Sequence, residues 1–61
     1  MNDTSAPLRS LIDRLKLAQH AVIEDAVRQS GPPSTAMIRR IADLENTIAA
    51  VLALIEERQG G

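Results

Sequence analysis

The sequence predicts an all-α fold: an antiparallel helical hairpin that dimerises into a four-helix bundle. Two amphipathic patterns of nearly equal length flank one breaker segment, Gly31-Pro32-Pro33-Ser34. Aromatic residues are absent, so Leu, Ile, Val, Ala and Met must supply the whole core, a composition suited to helix packing and poor for a β-sandwich. The chain has only 61 residues and no cysteine, and one core of that size seldom stabilises a chain without a disulfide, a metal or oligomerisation.

The first helix is expected over about 6–30. Residues 1–4 are polar and read as a disordered N-terminus. Ser5 is the preferred N-cap, its hydroxyl accepting a first-turn amide, and Pro7 is tolerated because early helical amides lack partners. From Leu8 the apolar residues Leu8, Leu11, Ile12, Leu15, Ala18, Val22 and Ala26 recur at helical spacing, with Ile23 at their border. Arg9, Asp13, Lys16, His20, Glu24 and Arg28 form the opposite face, where Arg9–Asp13 and Glu24–Arg28 are spaced as ion pairs. Leu17 stands alone on that face, either an ordinary exposed leucine or a partner contact. Gly31 suits a C′ position, and the prolines at 32 and 33 stop the helix.

The second helix is expected over about 34–58, capped by Ser34 or Thr35, with Pro33 at its first position as an alternative. Met37, Ile41, Leu44, Ile48, Val51 and Ile55 repeat with alternating spacings of four and three, the a/d seam of a coiled coil. Ile38 and Leu52 widen the seam, while Ala42, Ala49, Ala50 and Ala53 favour helix and allow close approach. The single domain is thus 5–59, with its loop at 31–34 and a flexible tail at 60–61.

Folding the chain back at residue 32 sets the register. Ala26 then meets Ile38, Val22 meets Ile41 and Ala42, Leu15 meets Ile48 and Ala49, and Ile12 meets Leu52. The polar break in the first stripe, Gln19, falls opposite the polar break in the second, Glu45. The two form either a hydrogen-bonded polar core layer that fixes register or a solvated boundary pair.

Both stripes are wider than two helices can cover, which suits a four-helix bundle. The expected partner is a second copy, with an interface of Leu8, Leu11, Leu15, Val22, Met37, Ile41, Leu44, Ile48, Val51 and Ile55. A larger helical protein is the alternative partner.

Composition narrows function by exclusion. Seven basic residues balance eight acidic ones, for a net charge of −1, which is no polycation for nucleic acid. No apolar run approaches a membrane span, and the N-terminus carries no signal-peptide pattern, so a cytoplasmic location is expected. The starting Met and the Gly-Gly end favour a complete small protein over an excised segment. His20 and Glu24, one turn apart, lie on the polar face without a second histidine, so no metal site and no cofactor are expected. No nucleophile triad and no phosphate loop can be read, and no enzyme is expected. Arg28, Arg39 and Arg40 gather at the loop end, where Arg39 and Arg40 oppose the helix dipole. They are candidate partner contacts with Leu17, although Glu24, Asp25 and Asp43 are near enough to balance them.

Two resemblances touch this chain. Leu8-Arg9-Ser10-Leu11-Ile12-Asp13-Arg14-Leu15 resembles the opening of the first helix in the all-α chorismate mutases. That likeness implies an arginine-lined site to which only Arg9 would carry over; the family's later long helix and basic positions find no match. In length and helix layout, without a shared motif, the chain also resembles the Rop-type plasmid primer-repressor proteins, which implies a hairpin dimer that binds paired RNA loops. The expectation is a small non-enzymatic interaction or regulatory protein acting as a dimeric bundle. The alternatives are a Rop-like RNA- or DNA-binding regulator, and a helical docking or dimerisation module of a larger assembly.

Overall fold

In a computed structural model the chain is an all-helical hairpin, described over residues 5–60. Helix α1 spans Ala6–Arg28 and helix α2 spans Thr35–Gly60, and the two pack along their length. The result is a rod of 50 × 15 × 11 Å. The expected disordered segment 1–4 and Gly61 lie outside the described residues.

The helix ends differ from expectation in ways local chemistry explains. Ser5 occupies the position before α1, but its side chain makes no capping hydrogen bond. Its backbone is already helical, at φ −91° and ψ −8°, whereas a capping side chain works from an extended backbone. Pro7 also has no amide to donate. The Ser5 carbonyl instead accepts the first helical bond, from the Arg9 amide at 2.9 Å.

Helix α1 stops two residues short of the expected Ser30. Gln29 turns extended (φ −83°, ψ 144°) while its amide still reaches the Ala26 carbonyl at 3.3 Å. Gly31 therefore sits one place beyond C′ and serves the reversal of the chain, with φ at +86°. Only glycine adopts that conformation without a steric cost.

Ser34 caps α2. Its hydroxyl accepts the Met37 amide at 3.1 Å and its carbonyl accepts the Ile38 amide at 3.0 Å. Pro33 lies outside the helix. At the other end α2 continues through Gly60, so that residue is helical and not part of a loose tail.

The enclosed core is small. Ile12, Ile48 and Ile55 are buried, with Leu8, Leu15 and Val51 packed against them. The cluster lies in the half of the rod away from the loop. Towards the loop, Val22, Ala26, Met37 and Ile41 are only half-buried. All ten residues expected at the interface are buried or half-buried in the hairpin. Ile12, which is not among those ten, proves to be central.

Two substitutions separate the roles of the turn. Ser34→Ala removes the α2 cap and should cost about 0.5–2 kcal/mol in urea unfolding at fixed protein concentration. Gly31→Ala should cost about 1–2 kcal/mol from backbone strain alone, because space around the glycine is open. An unchanged midpoint for Ser34→Ala would remove the cap from the account.

Candidate functional site

Gln19 and Glu45 meet across the helix seam. The Gln19 side-chain amide donates to a Glu45 carboxylate oxygen over 2.7 Å. Gln19 is half-buried and Glu45 exposed, so within one hairpin the pair lies at the solvent edge of the seam and not inside it. The helix positions explain this: Gln19 lies near the line facing α2, whereas Glu45 is displaced to one flank.

At the loop end the charges pair locally. Arg28 Nη2 binds Asp25 Oδ1 at 3.2 Å, with both side chains largely exposed. The expected partner Glu24, one residue earlier on the same turn, is passed over. Among the described residues Arg9 and Asp13 also form no ion pair, in keeping with the small gain two long exposed side chains obtain from pairing. The three arginines do not converge. Arg39 and Arg40 are about 100° apart around α2, and only Arg40 reaches the groove between the helices.

That groove is open, about 430 Å³ in volume, and mostly apolar. Val22 and Ala21 line it from α1 and Met37 and Ala36 from α2, with Asp25 and Arg40 at its rim. Ser34 borders it with its hydroxyl already engaged as the α2 cap. The groove offers an apolar seat with one charge of each sign, suited to a side chain from another helix. His20 and Glu24 are both exposed on the back of α1. Among the described residues no group of three or more His, Asp or Glu side chains comes together as a metal site.

The most informative surface is apolar. Leu17 is 69% exposed, Val27 78% and Ile38 54%, and Ile23, Leu52 and Leu54 also reach solvent. Leu17 stands apart on the outer face, as its spacing implies. Val27 and Leu54 were missed as surface features. The signals were available: Val27 follows Ile23 by one turn, and Leu54 follows Val51 by three residues. No family model matches this chain, and no curated protein or solved structure shows significant similarity to it.

The two polar contacts should differ in strength. A double-mutant cycle on Gln19→Ala and Glu45→Ala is expected to give a coupling of about 0.5–1.5 kcal/mol, because the bond crosses the seam and involves a charged acceptor. The same cycle on Asp25→Ala and Arg28→Ala should give about 0–0.5 kcal/mol, as for exposed pairs within a helix. A Gln19–Glu45 coupling of zero would mean that the cross-seam bond contributes nothing to holding the two helices in register.

Proposed function

We propose that this chain is a small non-enzymatic interaction or regulatory protein that works as a homodimer, two hairpins forming a four-helix bundle. The observation that carries the reading is the mismatch between core and stripe. Only Ile12, Ile48 and Ile55 are buried among the apolar side chains of the described residues, while six large ones remain exposed. A chain this short, without cysteine, gains most by burying that surface against another helical pair. A second hairpin offers stripes of the same width, and a larger helical protein would then contact the bundle's outer faces.

A nucleic-acid role rests on less. Its arginines do not converge, Arg28 is paired with Asp25, and the net charge is −1.

Sedimentation at micromolar concentration should give a dimer, and the melting temperature should rise with protein concentration, as linked folding and association require. A well-folded monomer under those conditions would sink the assembly reading. Capture of tagged protein from native lysate, with and without nuclease, then separates the two roles. Nuclease-insensitive recovery of a partner protein is expected, and loss of all partners on nuclease treatment would move the reading to nucleic acid.

A further inference from the structure

The hairpin has two sides, and they differ in chemistry. The Gln19–Glu45 bond marks one side; the groove of Val22 and Asp25 against Met37 and Arg40 marks the other. At about 100° per residue, these markers assign every other position to a side. On the first side Arg9, Lys16, Glu45 and Glu56 run from the open end of the rod to its middle. Its exposed apolar residues are split, with Ile23, Val27 and Ile38 near the loop and Leu52 beyond the polar middle.

The second side is continuous. Leu11, Ala18 and Val22 of α1 lie beside Leu44, Val51 and Leu54 of α2. Five of the six are half-buried in the hairpin and Leu54 is 38% exposed, so each needs only one further layer of cover. Thr47 is the polar residue at the centre, and its hydroxyl already donates to the Asp43 carbonyl at 2.7 Å. Burying it leaves no donor unsatisfied. Charges occur only at the ends and outer edges of this side, on Arg14, Asp25, Arg40, Asp43 and Arg58.

We propose that a second copy of the chain docks on this side, with Ala18 and Thr47 at the centre of the interface, and that the Gln19–Glu45 side faces outward in the dimer. The assignment rests on the homodimer reading above and adds the face. The 50 × 15 Å extents give one side an area of roughly 750 Å², close to the ~800 Å² per partner of a standard interface. Docking on the other side would instead remove Lys16 and the Glu45 carboxylate from water, with only one cross-seam hydrogen bond to compensate the carboxylate.

The chain contains no cysteine, so single cysteines report the face directly. Ala18 and Thr47 lie near the midpoints of α1 and α2 on the proposed interface; Lys16 and Ala49 lie at similar height on the other side. Under a glutathione redox buffer, Ala18→Cys or Thr47→Cys alone should form disulfide dimers if each helix crosses its own copy. The mixture of the two should do so if α1 lies over α2 of the second copy. Either result supports the face, provided urea abolishes it. Lys16→Cys and Ala49→Cys should remain at the urea level. Native cross-linking through Lys16→Cys or Ala49→Cys, or through no variant while the parent chain sediments as a dimer, overturns the assignment. A monomeric parent chain overturns the dimer reading itself, so the two failures are distinguishable. Sedimentation of side-specific variants gives an independent measure. Leu54→Gln should raise the dimer Kd by about tenfold or more, and Ile38→Gln by less than about threefold. The reverse order also overturns the face.

Discussion

Two helices in contact along a single seam enclose only the side chains that lie between their axes. Here that constraint leaves Ile12, Ile48 and Ile55 enclosed, Leu8, Leu15 and Val51 packed against them, and the remaining stripe half-covered. No aromatic ring is present to fill space beyond the seam. Each aliphatic side chain therefore counts by its distance from the line between the helices, and the surface is more informative than the interior.

The same geometry orders the polar groups. Chain reversal at Gly31 and the Ser34 cap set where α2 starts, and side-chain packing along the seam sets its phase against α1. That phase brings the Gln19 amide to the Glu45 carboxylate and leaves Asp25 and Arg40 at the rim of the groove. One side of the rod thereby carries charge at its middle, while the other keeps its charges to its ends and outer edges. The dimer proposed above follows from this division: burial is cheap where Thr47 is already satisfied by its own helix and costly where Lys16 and Glu45 face water.

Much of this was legible in sequence, because helical periodicity is a local property. The stripe from Leu8 to Ala26, the alternating spacing from Met37 to Ile55 and the breaker between them specify two helices and a reversal. The opposition of Gln19 and Glu45 followed from counting back from the turn. Less legible was anything that depends on backbone detail at an end. Ser5 has the residue type of a cap, yet its helical backbone and the missing amide of Pro7 prevent that role. Gln29 ends α1 by turning extended, and glycine at 31 marked the reversal more clearly than the last helical residue. Arg28 chose Asp25 over Glu24, since exposed pairs three and four residues apart differ too little in energy for spacing to decide.

By itself the sequence determined that the chain is helical, where it turns and which residues form the apolar stripes, because propensity and periodicity act within a few residues. Only the tertiary structure decided how much of each stripe two helices can cover. It placed Ile12 at the centre, Glu45 at the edge, and Ile38 and Leu54 on opposite sides. Those outcomes depend on the rotation of one helix about its axis against the other, which is set by side-chain packing between residues far apart in the chain.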